Sequence, residues 1–546
     1  MKPYVIGIDF GTLSGRAILL DTRSGTELAE SILPYAHAVM DEKLPCGKKL
    51  PPLYALQHPQ DYLEVLQTTV PDVLRKAGVP AEQVAGIGID FTSCTVLPVD
   101  QEGTPLCMKP GYAQEPHAYV KLWKHHAAQP YADEINRLSQ ERNESWLPMY
   151  GGKTSCEWLL PKLLEILREA PDIYGQTARF LEAGDWLSWM LTGDESRSVA
   201  FAGYKALWNA ENGYPSDDFL TTLDPALHGA VGTVIGSNVQ RIAESAGVIS
   251  QRGSALTSLL PGTPVAIPTI DAHAAMPALN ITGTGELMLV LGTSSCHIIN
   301  ADVQNNVPGI CGYVKDAVIP GLYTYEAGQA CVGDSFDWFV RSCVPGAYTW
   351  EAEEKGITIH QLLQEKAQDL KPGENGLVAL DWLNGNRSVL VDSDLSGVLV
   401  GMTLRTRPEE IYRAFLEATA YGTRMIIEQY ERSGISINSI CAAGGIAQKN
   451  AMMMQIYADV TGRPIRIAGT TQASALGSAI YASVAGGLFP TVAEAAAKLS
   501  RPDKQIYHPI AENGPAYDKL YGIYKTLHDY FGRENPDLLH ALNPRT

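Results

Sequence analysis

Two Gly-Thr turns, each between apolar runs that read as strands, lie about half a chain length apart. The first is Ile6-Gly7-Ile8-Asp9-Phe10-Gly11-Thr12-Leu13-Ser14-Gly15-Arg16-Ala17-Ile18, and the second is Leu289-Val290-Leu291-Gly292-Thr293-Ser294-Ser295-Cys296-His297-Ile298-Ile299. Aligning Gly11-Thr12 with Gly292-Thr293 also aligns Ser14 with Ser295 and Ile18 with Ile299. Glycine lets a backbone approach a phosphate closely, and the flanking hydroxyls and amides can donate to it. One such turn is commonplace; two, placed by an apparent duplication, point to paired lobes closing on a nucleotide. Asp9, at the end of the first strand, has the chemistry to hold Mg2+, usually through water. A strand-end Asp capping its own turn reads the same way. Asp271, in Ile270-Asp271-Ala272-His273-Ala274, can serve as the carboxylate that takes a hydroxyl proton during phosphoryl transfer to an alcohol, or as a helix cap. Gly444-Gly445-Ile446-Ala447-Gln448-Lys449-Asn450 joins a strand to a helix. It offers bare backbone to a flat adenine or ribose and an Asn450 amide to a ring edge, or simply a turn with an N-cap.

Alternating strands and helices must carry these groups. Tyr4–Phe10, Arg16–Asp21 and Val84–Asp90 read as strands, with a helix at Pro59–Gly78 whose Leu63, Leu66, Val70 and Val73-Leu74 recur at helical spacing. Residues 110–260 are more helical and irregular, rich in Trp and Pro, as an inserted substrate-side region would be. Strands at Pro264–Pro268 and Leu287–Leu291 flank the Asn280–Gly285 turn cluster, where the lobes are expected to divide. Beyond it come a long helix at Glu409–Gly434, a strand at Ser439–Ala443, a helix at Asn450–Thr461 and a small-residue helix at Gln472–Gly486. The pattern predicts two α/β lobes, 1–282 and 283–546. Gly152-Lys153-Thr154 imitates the tail of a P-loop, but position 147 is Leu where the first glycine belongs, so a P-loop fold is rejected.

Bulk properties narrow the function classes. The 546 residues carry 42 basic and 60 acidic side chains, a net charge of −18, which disfavours nucleic acid or an anionic membrane as partner. A phosphate site on so acidic a chain must depend on local backbone donors and a divalent cation. Hydrophobic content of 45% and a mean hydropathy of −0.07 fit a soluble globular chain, and no run approaches a membrane span. Nine scattered cysteines without a CxxC pair fit a reducing cytoplasm, and Asp9 in the first apolar stretch does not fit a secretory leader.

The paired hairpins and the Gly444-Gly445 loop resemble the actin-like ATPase superfamily. Asp271-Ala272-His273-Ala274 narrows the resemblance to the FGGY carbohydrate kinases. Gly397–Glu417 is similar to that family's C-terminal signature, departing from it at Phe415. Asp90-Phe91-Thr92-Ser93-Cys94, Leu122-Trp123-Lys124-His125-His126, Gly309-Ile310-Cys311-Gly312, Glu326-Ala327-Gly328-Gln329 and Asp381-Trp382-Leu383-Asn384-Gly385-Asn386-Arg387 resemble the L-ribulose-phosphorylating branch. The resemblance spans essentially the whole chain. It implies two ribonuclease-H-like lobes with a nucleotide cleft between them, the N-terminal one binding sugar and the C-terminal one ATP. It further implies ATP and Mg2+ as cofactors and transfer to the terminal C5 hydroxyl of L-ribulose in arabinose catabolism. Position by position, Asp271 matches the base, while Ser93, Lys205, Asp271 and Glu326 match the sugar site. Asp9 matches the metal-associated Asp. Gly11, Thr12, Gly292, Thr293, Gly333, Gly444, Gly445 and Asn450 match the nucleotide site.

Three other readings compete. A sibling kinase for D-ribulose, D-xylulose, ribitol or another polyol would share every nucleotide feature. A non-catalytic ATP-binding regulator would not need Asp271, Lys205 and Glu326 together. A filament protein would need polymer contacts that the sugar-side insertions do not offer. Oligomeric state stays open, a homodimer among the options.

Overall fold

The apolar alternation of residues 4–21 folds as a hairpin in which β1 (Tyr4–Phe10) pairs antiparallel with β2 (Ser14–Asp21). The structure is a computed structural model and describes residues 2–542. Strand β3 (Thr26–Pro34) extends the hairpin beyond β2, while β4 (Val84–Phe91) lies parallel to β1 on its other side. With β5 (Ser245–Val248) and β6 (Pro264–Ala266) the sheet order is β5-β6-β4-β1-β2-β3, and β7 (Thr269–Ile270) also pairs parallel with β4. Every residue of β4 is buried, as expected of a central strand covered on both faces.

Helix α1 (Pro59–Ala77) packs on β2 and β3. Later come α2 (Val199–Lys205) and α3 (Asp271–Ala278). A four-stranded antiparallel sheet of short strands, Leu56–Gln57, Val120–Lys121, Val96–Val99 and Arg179–Glu182, draws two of its strands, Val120–Lys121 and Arg179–Glu182, from the region expected to be helical and irregular. Its strands are two to four residues long, too short for periodicity to reveal.

The second half repeats the plan. β8 (Glu286–Leu291) and β9 (Ser295–Ala301) form a hairpin, and β10 (Tyr323–Gln329) neighbours β9. Helices α4 (Gly333–Cys343) and α5 (Pro408–Arg432) follow, and β11 (Ser439–Ala443) lies parallel to β8. Helix α6 (Gly445–Lys449), α7 (Ala451–Thr461), β12 (Ile465–Ile467), α8 (Ala473–Ala485) and β13 (Gln505–Tyr507) complete it. Hairpin plus parallel neighbour, β2-β1-β4 in one sheet and β9-β8-β11 in the other, makes the sequence repeat a structural one. The repeat is inexact: Phe10 pairs with Gly15 across the first turn, but Leu291 pairs with Ser295 across the second, so the second loop is one residue shorter.

The chain divides into two compact units. The first comprises 1–282, 313–324 and 472–501; the second comprises 283–312, 325–471 and 502–546. Helix α8 thus folds with the first unit although it follows the second in sequence. It lies in a groove that glycines open: a Cβ on Gly7 would fall 1.9 Å from the Ala475 carbonyl oxygen, and one on Gly88 2.1 Å from that of Ser478. The small residues of α8 are the matching half of this close approach.

Candidate functional site

In the first unit the candidate groups gather at the carboxyl ends of β1, β4 and β7, where ligands bind in open α/β sheets. Gly7-Ile8-Asp9-Phe10 and Gly88-Ile89-Asp90-Phe91 are the same tetrapeptide, and the parallel register matches them residue for residue. Asp9 therefore stands beside Asp90 on one face, while Phe10 stacks on Phe91 with ring centroids 5.1 Å apart. Asp90 is fully buried; its Oδ2 accepts the Ser478 hydroxyl proton at 2.6 Å, and its Oδ1 has no hydrogen-bond partner among the described residues. Burial and the neighbouring Asp9 charge hold the Asp90 carboxyl well above the usual carboxylate range, and burial raises Asp9 too. Two carboxyls side by side, one with an unbonded oxygen, fit the donor set of a hard divalent cation.

The turn after β1 is closed by the Gly11 amide donating to the Ser14 carbonyl at 3.0 Å. Thr12 and Gly11 are half-buried. Ser93 lies half-buried in the loop leaving β4, and two buried ionisable groups clamp that loop. Lys162 Nζ donates to the Cys94 carbonyl at 2.7 Å and the Leu122 carbonyl at 2.8 Å. The Glu182 carboxylate accepts from the amides of Cys94 (3.2 Å) and Thr95 (3.0 Å), and burial pushes Glu182 up to about 7. Asp271 begins α3 directly after β7, two residues past Thr269, which is level with Asp90. The N-cap is Ile270, so Asp271 is a first-turn residue rather than the cap; its Oδ1 accepts from the Ala272 amide at 2.6 Å. Buried His273 packs against Tyr204 at 4.6 Å between ring centroids, and Lys205 ends α2 with its Nζ 5.6 Å from the Tyr204 ring centroid. That contact brings the Lys205 segment to the helix that Asp271 opens.

In the second unit four of the nucleotide candidates, Gly292, Thr293, Gly333 and Gly444, converge. The Gly333 amide donates to the Gly292 carbonyl at 3.0 Å, and the Val332 and Asp334 amides donate to the Thr293 carbonyl at 2.8 and 3.3 Å. A Cβ on Gly333 would meet Gly292 O at 2.6 Å, and one on Gly444 would meet Leu291 O at 2.3 Å. Gly444 has φ of +95°, in the region that favours glycine. Gly445 is different: it is exposed, and a Cβ there meets nothing within 4 Å. Helix α6 begins at Gly445, so the segment expected as a loop is a helical turn. Asn450 is the N-cap of α7, its Oδ1 accepting from the Met453 amide at 3.0 Å. Glu326 is half-buried on β10, with β9 between it and β8, and is not part of this cluster.

Several residues of these sites carried no assigned role in the sequence reading. Asp90 was legible in the repeated Gly-Ile-Asp-Phe tetrapeptide. Lys162 and Glu182 gave no signal, because their partners are backbone groups distant in sequence. The Gln329 and Asp381 stretches meet in a buried network: Gln329 Nε2 donates to Asp381 Oδ2 at 2.9 Å, and Ser295 and Thr423 hydroxyls donate to Gln329 Oε1 at 3.2 and 3.0 Å. That network ties the strand bearing Glu326 to β9 and α5.

Comparison with known proteins identifies the family. The N-terminal domain model of the FGGY family of carbohydrate kinases matches residues 4–277, and the C-terminal domain model matches 287–486. The chain is 51% identical over 528 residues to a protein of Bacillus licheniformis named ribulokinase, covering 96% of each. It is 49% identical over 544 residues to a ribulokinase of Halalkalibacterium halodurans, covering 99% of this chain and 97% of that one. Solved structures share the fold at lower identity. A xylulose kinase from Rhodospirillum rubrum has a TM-score of 0.80 at 22% identity, covering 98% of this chain and 100% of that one. A gluconate kinase from Lactobacillus acidophilus has 0.80 at 17%, covering 98% and 99%. No helix among the described residues is long and apolar enough to cross a membrane. With both domain models matched and half of all positions shared with relatives along nearly its whole length, the chain belongs to the FGGY family of carbohydrate kinases.

Proposed function

We propose that this kinase transfers the γ-phosphoryl group of ATP to the terminal C5 hydroxyl of L-ribulose, giving L-ribulose 5-phosphate and ADP. The observation that carries the reading is similarity near 50% identity, over 96–99% of the chain, to proteins named ribulokinase. The first unit supplies the sugar-side residues Ser93, Lys205 and Asp271. Glu326 is likewise assigned to the sugar, and Gly292, Thr293, Gly333, Gly444, Gly445 and Asn450 to the nucleotide. The Gly11-Thr12 turn contacts the phosphates. Asp271 accepts the hydroxyl proton while the hydroxyl oxygen bonds to the γ-phosphorus and the bond to the β-phosphate oxygen breaks. Such a base is worth about 10²–10⁴-fold, and orientation supplies much of the rest. Asp9, with Asp90 beside it, would hold Mg2+, which when bound neutralises charge on the triphosphate.

Sugar-dependent ADP release with L-ribulose, D-ribulose, D-xylulose and ribitol at equal concentration tests the reading. The highest kcat/KM is expected for L-ribulose; a higher value for one of the others would assign the chain to a sibling substrate.

A further inference from the structure

Three side chains hold the Gly11-Thr12 turn from behind. The Tyr35 hydroxyl donates to the Gly11 carbonyl at 2.9 Å. Gln57 Nε2 donates to the Thr12 carbonyl at 2.7 Å, and its own Oε1 accepts the Tyr62 hydroxyl proton at 2.6 Å. Trp123 Nε1–H donates to the Thr12 hydroxyl oxygen at 3.1 Å.

The third contact has a chemical consequence. An indole N–H is a donor only, whereas a hydroxyl carries one proton and two lone pairs. Once a Thr12 lone pair is committed to Trp123, the Thr12 proton must point away from the indole. No acceptor among the described residues takes that proton, and Thr12 is half-buried at the mouth of the turn. The hydroxyl is thus held as a donor to an incoming anion. The backbone beside Trp123 is anchored, because the Leu122 carbonyl accepts from buried Lys162 Nζ, the same ammonium that holds the Cys94 carbonyl of the Ser93 loop.

We propose that Trp123 is a positioning residue for phosphoryl transfer, acting through Thr12: its N–H orients the Thr12 hydroxyl so that its proton is offered to a phosphate oxygen of ATP. Through Lys162 the sugar-side loop and the phosphate turn share one anchor. This rests on the reading that Thr12 contacts phosphate, and the test separates the two.

Steady-state kinetics on the full chain compare wild type, Trp123→Phe, Thr12→Val and the double variant, with thermal unfolding measured alongside. Trp123→Phe keeps the ring and removes the N–H. It is expected to lower kcat/KM for MgATP about 5- to 10-fold while leaving KM for L-ribulose within about twofold. Thr12→Val should cost at least as much, and adding Trp123→Phe to it should cost nothing more. If Thr12→Val is harmful but Trp123→Phe is silent, or the two losses multiply, or the Trp123→Phe loss appears in KM for sugar alone, the positioning role is overturned and the phosphate contact stands. If Thr12→Val is silent, the phosphate contact itself is wrong, and the inference falls with it. Should Trp123→Phe not fold, Trp123→His, which retains a ring N–H, is compared with Trp123→Leu. Restoration of kcat/KM for MgATP by His relative to Leu supports the proposal, and equal values overturn it.

Discussion

At the residue scale the chemistry is divided among carboxyls whose surroundings differ. Asp271 starts a helix and is half-buried, open to a substrate; Asp90 is buried and largely protein-facing. Asp271→Asn is expected to lower kcat by about 10²-fold or more while MgATP binding, read by titration calorimetry, stays within about twofold. Lys205→Ala should mainly raise KM for the sugar, because the ammonium binds and does not exchange protons; an unchanged KM would remove it from the pocket. Asp185 reports on stability instead. Burial pushes it up to about 8 against the attraction of Arg197, although its Oδ1 accepts the Ser198 amide at 2.8 Å. A carboxyl raised on folding stabilises fully below its unfolded value near 3.8, and that contribution is lost as pH climbs toward 8. Asp185→Asn keeps the acceptor and cannot ionise. Its Tm relative to wild type should therefore rise between pH 5.5 and pH 8.5, and a constant difference would contradict the assignment. The candidate residues with local motifs, Asp9, Thr12, Asp271 and Gly444, were legible in the sequence. Trp123 was visible only as part of a stretch, because its partner Thr12 is distant in the chain.

At the element scale, glycines do two kinds of work that sequence cannot separate. Gly88 opens a groove for α8, and its Cβ would collide with a backbone oxygen, so Gly88→Ala is expected to cost about 3 kcal/mol or more in denaturant unfolding. Gly445 has open space above it. Gly445→Ala should leave stability nearly unchanged yet raise KM for ATP several-fold if nucleotide lies on that backbone; equal KM values would remove Gly445 from the site. The loop carrying Ser93 depends on a buried cation: Lys162→Met leaves the Cys94 carbonyl unbonded and the Leu122 carbonyl with the His125 amide alone, at about 1–3 kcal/mol. KM for sugar should rise more than KM for ATP in that variant. Long periodic elements such as α1 and α5 were readable to within one or two residues. The four-stranded sheet and α6 were not, because short strands and a glycine-led helical turn carry no periodic signal.

At the scale of the whole molecule, duplication is the organising fact. Each unit has a hairpin flanked by a parallel strand, but only the first turn is preceded by Asp; the aligned position in the second is Val290. One copy therefore carries a strand-end carboxylate, whereas the other packs its turn against Gly333 and leaves no room for a Cβ at Gly444. The return of α8 to the first unit was hidden from sequence, since its small-residue face shows close packing without naming the groove it fills. The central proposal is sugar phosphorylation that depends on Asp271. The most direct measurement is coupled ADP release with L-ribulose by wild type and Asp271→Asn, with the product mass determined. The expected result is stoichiometric ADP and pentulose phosphate from wild type and at least about a 10²-fold slower rate from the variant. Wild-type turnover by Asp271→Asn, or ADP release indifferent to the sugar, would contradict it.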